Sequence, residues 1–368
     1  MSAPAFSETY FVTRLAGTMG RAGYQDGNAA TAQFSSMDAV AVDIAKNVYV
    51  ADTGNHVIRK ITPAGIVTTL AGQASRHGSD DGARSTALFY YPHGIAIDGA
   101  GNLYIADSWN HTIRKMTPQG TVITVAGLAG SRGNRDGVGE HARFSFPFGI
   151  AIDHDGHMYV ADEKNCAIRR ITPAGDVTTV AGRATSCGNT DGSSRDARFN
   201  EPRGVAVDRS GNIFVADTYN HTIRRITPDG WVTTVAGLAR WRGHADGPAR
   251  TARFYNPLGV AVDGSGSVYV ADTYNHTIRE ITPRGMVRTV AGMARTPGGR
   301  DANAAAARFN SPIGLAIDSD GDLYVADYHN HAIRKITRSG RDDPRPPAAL
   351  GIGAPTRGPG FRAASQER

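Results

Sequence analysis

The chain has 368 residues, and its 40 Lys and Arg against 34 Asp and Glu give a formal charge of +6. The basic residues are interspersed with aspartates along the chain, so the charge alone is weak evidence for a nucleic-acid partner. The sequence has no apolar run long enough to span a membrane, and residues 1–10 lack the basic and apolar segments of a secretory signal. We therefore predict a cytoplasmic protein with no membrane partner, in which Cys166 and Cys187 stay reduced.

The dominant feature of the sequence is a repeat of one segment. Aspartates recur every 55 residues inside near-copies of this segment, at Asp52, Asp107, Asp162, Asp217, Asp272 and Asp327. Such a regular period overrides the length of the chain as a guide to domain number, and it predicts one closed or stacked domain.

Each copy predicts four antiparallel strands. In the second copy they fall at about residues 94–98, 102–107, 111–117 and 121–125, separated by turns rich in Gly and Pro. Because one such sheet cannot bury both of its faces alone, the copies are expected to pack face to face around an axis, as propeller blades do.

The two ends of the repeat region predict how the ring closes. The sixth copy stops after three strands, and residues 12–17 match the fourth strand of the other copies. We therefore predict an all-β, six-bladed β-propeller over residues 10–341, with four antiparallel strands per blade and an N-terminal strand that completes the last blade. Residues 342–368 are rich in Pro, Gly and Arg without periodicity, and they predict a disordered tail.

The segment 269–292, YVADTYNHTIREITPRGMVRTVAG, closely resembles the NHL repeat, whose name echoes the pair Asn275 and His276. The resemblance covers about residues 10–340 and implies a six-bladed propeller. For function it implies only a range, which includes RNA-binding and protein-binding modules, receptor ectodomains and amidoglycolate lyases. Related six-bladed propellers include lactonases. Fold alone does not choose among these.

Residues present in every copy are most simply explained by structure. Asp52, Asn55, His56 and Arg59, with their equivalents, predict a repeated loop lock in which the Arg pairs with a carboxylate. The alternative is a ring of histidines that holds a divalent metal at the mouth of the ring, although a tight site needs converging ligands. No other cofactor is evident from the sequence.

A functional site is expected where the copies differ. The position just before each inner strand should face the axial opening, and around the ring it holds Asp38, His93, Phe148, Arg203, Leu258 and Ile313. The loops of the same face add Glu163 and Glu201 as further acids. They also add a rim of side chains that, together with Phe148, are the candidate ligand-binding residues, namely Tyr91, Trp109, Lys164, Tyr219, Tyr274 and His329. An apolar pocket with a few convergent polar groups is the common form of a ligand site.

Three functions fit these residues. The first is a binding protein that holds a small polar molecule or peptide, with a protein partner possible, in which Arg203 and Lys164 pair an acidic group of the ligand. The second is a lyase or hydrolase in which His93 is the acid or base, Asp38 orients it, Arg203 stabilises negative charge, and Glu163 or Glu201 is the partner acid. The third is RNA binding by basic and aromatic loop residues, against which the acidic residues at the mouth argue. These loop residues are Arg76, His77, Arg132, Arg240, Trp241, Arg242 and His244.

Overall fold

The computed structural model describes residues 10–338, which form six antiparallel sheets arranged in a ring. The predicted tail from residue 342 lies outside the described residues. Each sheet has four long strands, as expected, and a further two-residue strand at its outer edge that the sequence did not predict. The chain is therefore an all-β, six-bladed propeller.

The blades repeat the same strand order from the axis outward. The inner strands are Ala39–Val42, Pro92–Ile97, Pro147–Ile152, Pro202–Val207, Pro257–Val262 and Pro312–Ile317. The second strands are Val48–Asp52, Leu103–Asp107, Met158–Asp162, Ile213–Asp217, Val268–Asp272 and Leu323–Asp327. The third strands are Val57–Ile61, Thr112–Met116, Ala167–Ile171, Thr222–Ile226, Thr277–Ile281 and Ala332–Arg338.

The outer strands are Ile66–Ala71, Thr121–Ala126, Asp176–Gly182, Trp231–Gly237, Met286–Gly292 and, for the sixth blade, Tyr10–Ala16. The two-residue edge strands are Gly27–Asn28, Gly82–Ala83, Gly137–Val138, Gly192–Ser193, Gly247–Pro248 and Ala302–Asn303. Short 3-10 helices follow the second strands, at Thr53–Asn55, Ser108–Asn110, Glu163–Asn165, Thr218–Asn220, Thr273–Asn275 and Tyr328–Asn330, and one more lies at Gly139–His141. No helix within residues 10–338 is long and apolar enough to cross a membrane.

The predicted closure of the ring is confirmed. Tyr10–Ala16 pairs antiparallel with Ala332–Arg338 on one side and with Ala302–Asn303 on the other. Val12 on this strand is fully buried, and Tyr10 is buried against the fifth and sixth blades. The first and last described segments of the chain thus share one sheet, which removes an exposed edge from each.

The repeated Arg locks each blade to the connection that precedes it. In the fourth blade, Arg224 is almost completely buried, and its Nη1 donates to Asp217 at 2.7 Å while Nη2 donates to Asp191 at 2.6 Å. The guanidinium lies over the ring of Phe199, 5.1 Å from its centroid. The predicted loop lock is present, and the second carboxylate, from the Asp-Gly pair of the connection, is a partner that the sequence did not reveal.

Repeated histidines join neighbouring blades. In each of five boundaries within residues 10–338, a His in the left-handed conformation accepts a backbone N–H of the next blade on its Nδ1, at 3.0 to 3.5 Å. The pairs are His56 with Tyr91, His111 with Phe146, His221 with Asn256, His276 with Ser311 and His331 with Ser36. These hydrogen bonds join neighbouring blades, so the histidines have a structural role.

The prediction that the two cysteines stay reduced is wrong in this structure. Cys166 and Cys187 form a disulfide, with their Cα atoms 5.4 Å apart. Cys166 occupies the repeated His position of the third blade, and the fold brings the connection that carries Cys187 within the distance a disulfide requires. The 21 residues between them in the sequence do not reveal this proximity.

Inner strands approach one another closely around the axis. A Cβ added to Gly204 would lie 2.0 Å from the carbonyl oxygen of Leu258, and one added to Gly149 would lie 2.2 Å from that of Arg203. Only glycine fits at such a distance. The inner strands therefore leave a narrow axial cavity, and the residues just before these glycines surround its opening.

Candidate functional site

The six variable residues predicted to precede the inner strands all line one cavity on the axis, although five of them are the second residues of their strands and only Asp38 lies before its strand. Its volume is about 60 Å³, enough for a few water molecules or for one small group of a ligand. The lining side chains are Asp38, His93, Phe148, Arg203, Leu258 and Ile313, each from a different blade. A symmetric scaffold thus carries an asymmetric set of side chains at its mouth.

Asp38 and His93 are a close pair on adjacent blades. His93 Nδ1 lies 3.2 Å from Asp38 Oδ2, without the alignment of a hydrogen bond. Burial raises the pKa of the Asp38 carboxyl to about 7, although the Thr53 hydroxyl and the Arg203 charge oppose this shift. Burial also lowers the pKa of His93 to about 3, and the Arg203 charge adds to this effect. At neutral pH the imidazole is uncharged, and the carboxyl is poised between its two forms.

Four charged side chains form a network across the boundary between the third and fourth blades. Glu163 Oε1 lies 3.1 Å from both Arg203 Nη2 and Lys164 Nζ. Lys164 Nζ also lies 2.8 Å from Glu201 Oε1. The two cations expected to meet an acidic ligand therefore already have carboxylate partners, and the network has no net charge.

The remaining side chains of the mouth are apolar. Phe148, Leu258 and Ile313 are buried against one another, and Tyr328 packs on them. The Arg203 guanidinium lies over the Phe148 ring, 5.2 Å from its centroid, and the His93 ring meets the edge of Phe148 at 4.6 Å between centroids. Phe148 thus fixes both polar groups beside the cavity.

The predicted rim residues form separate aromatic groups. Trp109 contacts Tyr91 at 5.3 Å between ring centroids, and Tyr274 contacts Tyr255 at 5.1 Å. Trp109, Tyr219 and Tyr274 are each nearly half exposed. The Arg203 guanidinium lies 5.8 Å from the centroid of Tyr219, which links this ring to the mouth.

The predicted rim residue His329 belongs to the sixth blade, where its ring lies 4.8 Å from that of Tyr328 between centroids. Since Tyr328 packs on the apolar side chains of the mouth, His329 lies next to them. Of the predicted ligand-binding residues, the structure brings Phe148 into the cavity and places Lys164 in the charge network. Tyr91 and Trp109 lie together in a group of their own.

Three polar atoms around the mouth are buried without a hydrogen-bond partner, namely His93 Nδ1, Arg203 Nε and Glu201 Oε2. Buried polar atoms are normally paired by protein, water or ligand. An added group at the mouth could accept from the Arg203 Nε–H. Because Nδ1 of His93 faces Asp38, Nε2 is the ring nitrogen left for such a group.

The opposite face of the ring carries the side chains best placed for a metal. Ligand atoms of Asp153, Asp155 and His157 lie within 4.8 Å of one another. Asp153 Oδ1 already accepts the backbone N–H of Asp155 and of His157, and Tyr159 donates its hydroxyl to Oδ2. These hydrogen bonds stabilise the turn, which explains why the three side chains lie together. The divalent metal that the sequence allows stays a prediction.

The basic and aromatic loop residues considered for RNA binding make contacts within the chain. Arg242 donates to the Tyr255 hydroxyl at 2.9 Å and lies over its ring. The His77 ring stacks on Tyr90 at 4.2 Å between centroids.

Comparison with known proteins identifies the repeat. The NHL repeat matches residues 89–116, 199–226, 254–281 and 309–336. The chain is 30% identical over 281 residues to Protein SUPPRESSOR OF QUENCHING 1, chloroplastic, of Arabidopsis thaliana. This match covers 72% of this chain and 26% of that protein. It is 29% identical over 331 residues to NHL repeat-containing protein 2 of Homo sapiens, and this match covers 80% of this chain and 45% of that protein. The chain spans less than half the length of either relative.

Solved structures share the fold at lower identity. An auxiliary nutrient binding protein from Bacteroides thetaiotaomicron VPI-5482 superposes with a TM-score of 0.68 at 18% identity, covering 89% of this chain and 76% of that one. A virginiamycin B lyase from Staphylococcus aureus superposes with a TM-score of 0.56 at 14% identity, covering 89% and 99%. These likenesses concern the fold alone. The matched repeats, the two curated relatives and the six-bladed ring together show that the chain belongs to the NHL-repeat family.

Proposed function

We propose that the protein is a binding module whose axial mouth takes one small, uncharged polar group of a ligand or peptide, while the rest of the ligand lies on the aromatic rim. One observation carries the proposal. Asp38, His93 and Arg203 line a cavity whose other lining side chains, Phe148, Leu258 and Ile313, are apolar. Convergent polar groups in an apolar pocket are typical of ligand sites.

The charge balance of the mouth favours an uncharged ligand group. Arg203 and Lys164 are neutralised by Glu163 and Glu201, so an added carboxylate would face two carboxylates as well as two cations. An amide or hydroxyl can instead accept from Arg203 Nε–H and donate to the Asp38 carboxylate without adding charge. Burying an unpaired charge costs far more than burying a paired dipole.

Three small glycine derivatives that differ in charge test this preference. They are N-acetylglycinamide, which is neutral, N-acetylglycine, which is anionic, and glycinamide, which is cationic. We expect the neutral probe to shift the NMR signals of the His93 and Phe148 rings at the lowest concentration. The shift of the Phe148 ring, which is present in every variant, should be lost in Arg203→Ala and His93→Ala and kept in His154→Ala, a highly exposed residue of the opposite face. Equal binding by all these variants would refute the assignment of the mouth as the site.

A second candidate is acid and base catalysis at the same mouth, and the Asp38–His93 pair favours it. General acid-base groups work best when their pKa lies near the working pH. The pKa of Asp38, raised to about 7 by burial, meets this condition, whereas the lowered pKa of His93 makes it a weak base. The roles expected from the sequence are therefore exchanged, with Asp38 as the proton carrier and His93 as its neighbour.

A panel of simple esters and lactones tests the catalytic candidate. If it is correct, turnover should depend on pH with a midpoint near 7, and Asp38→Asn should abolish it while leaving the fold intact by circular dichroism. Turnover that is unaffected by Asp38→Asn would exclude this pair as the catalytic group.

The cytoplasmic location predicted from the sequence stays a prediction. Disulfides such as Cys166–Cys187 persist mainly in oxidising compartments. Fractionation of the host cell, followed by thiol labelling of the protein in each fraction, tests both the location and the state of the cysteines.

A further inference from the structure

The boundary between the third and fourth blades is built differently from the others within residues 10–338. At the other five boundaries, the Nδ1 of a repeated His accepts a backbone N–H of the next blade. Here Cys166 takes the place of the His, in the same left-handed conformation, and is bonded to Cys187. The residue equivalent to the N–H donors is Glu201, whose φ of 49° also matches theirs.

The disulfide crosses this boundary, as the imidazole contacts do elsewhere. Cys187 lies in the connection that is locked to the fourth blade, because Asn220 donates to the carbonyl of the next residue, Gly188, at 2.7 Å. Arg224 of the same blade donates to the Thr190 carbonyl at 2.8 Å. Cys166 follows the second strand of the third blade. A covalent bond thus replaces a hydrogen bond between two blades.

The charge network of the mouth crosses the same boundary. Glu163 and Lys164 lie in the short helix Glu163–Asn165, which ends at Cys166. They pair with Arg203 and Glu201 of the fourth blade. The disulfide therefore anchors the helix that carries one half of the network to the blade that carries the other half.

We propose that Cys166–Cys187 is a reducible staple, meaning a covalent link between the third and fourth blades that a dithiol can open. Cys187 is the site at which it exchanges with the dithiol. Cys187 is exposed, whereas Cys166 is completely buried. A thiolate of the dithiol attacks Sγ of Cys187, and the Cys166 thiolate leaves and takes up a proton. The second thiol of the reagent then displaces Cys187 as a thiol. The dithiol is oxidised to a disulfide, and two electrons and two protons reach the protein.

Reduction leaves the boundary with neither a disulfide nor an imidazole contact, so the blades are joined there more weakly than at the other five boundaries. The helix Glu163–Asn165 then loses its covalent anchor beside the mouth. Any effect of this on ligand affinity rests on the proposed function, whereas the staple does not. Melting temperature and hydrogen exchange measure structure and not binding, so their results can refute the staple without refuting the proposed function.

Melting temperatures with and without dithiothreitol test the staple. The full chain should melt about 5 °C lower when reduced, because a closed loop of this length constrains the unfolded chain. The matched control is Cys166→His with Cys187→Ala, which reproduces His331 and Ala22 of the boundary between the sixth and first blades. It should melt above the reduced wild type and should not respond to dithiothreitol.

Hydrogen exchange locates the change. On reduction, peptides covering residues 160–168 and 198–204 should exchange several-fold faster, while their equivalents at 105–113 and 143–149 stay unchanged. In the single variants, the thiol left by Cys166→Ser should react with an aromatic disulfide reagent much faster than the one left by Cys187→Ser. Two free thiols in the non-reduced protein, unchanged exchange on reduction, or faster labelling of Cys166 would each overturn the proposal.

Discussion

At the residue scale, buried arginines are the groups on which each blade depends. Arg224 neutralises Asp217, whose carboxyl is completely buried and whose pKa is raised to about 6 by that burial. We expect Arg224→Ala to lower the free energy of unfolding by about 3–5 kcal/mol, because it leaves this buried carboxylate without a counter-charge and with only the neutral donors of Asn200 and Asn220. Urea denaturation measures the loss. Arg225→Ala, at the exposed next residue, is the matched control and should change stability by less than about 0.5 kcal/mol.

Asp38 should make stability depend on pH. Its folded pKa of about 7 lies above its ordinary value, so its contribution is fully present below about pH 4 and is lost as the pH rises through 7. His93 acts in the opposite sense, because its lowered pKa costs stability as the pH falls from about 6.5 to 3.

The variant Asp38→Asn removes only the first contribution. It should therefore be more stable than wild type at pH 8, by up to about 4 kcal/mol, with the difference vanishing near pH 4. Paired denaturation curves across pH 4 to 8 give the comparison, and a difference that does not vary with pH would show that Asp38 titrates normally.

At the element scale, the strand Tyr10–Ala16 closes the ring. Deletion of residues 1–17 should lower the melting temperature by about 10 °C or more, because it exposes the edge of Ala332–Arg338 and removes the buried side chains of Tyr10 and Val12. Deletion of residues 1–9 alone leaves the strand in place and is the control. Equal melting temperatures for wild type and the longer deletion would contradict the closure of the ring by this strand.

The spacing of the inner strands is set by glycine. Gly204→Ala should destabilise the protein by about 1–3 kcal/mol, because the new Cβ would meet the Leu258 carbonyl at 2.0 Å and force two inner strands apart. Gly264→Ala, in a turn with open space around it, is the matched control and should be tolerated. If both variants unfold at the same denaturant concentration, the inner strands are not held at this spacing.

At the scale of the whole molecule, repetition explains what could be predicted from the sequence. A residue that recurs in every blade serves every blade, so the ring, its closure and the buried Arg lock follow from the period. Asp38, His93 and Arg203 are candidates because they occupy a position at which the copies differ, and the structure places all three around one cavity.

Pairings that occur once could not be predicted in this way. The contacts of Arg203 and Lys164 with Glu163 and Glu201 depend on where unrepeated side chains meet in space. The Cys166–Cys187 disulfide depends in the same way on the approach of a loop and a connection. The residues that line the axial cavity were therefore predictable from the sequence, and the charge balance around it was not.

We propose that this propeller binds its ligand at the asymmetric mouth and not on the repeated surface. A crystallographic screen of small uncharged and charged fragments against the wild-type protein tests this proposal. We expect uncharged polar fragments to occupy the axial cavity within hydrogen-bond distance of Arg203 Nε and His93. Fragments that bind only elsewhere on the ring, with this cavity left unoccupied, would contradict it.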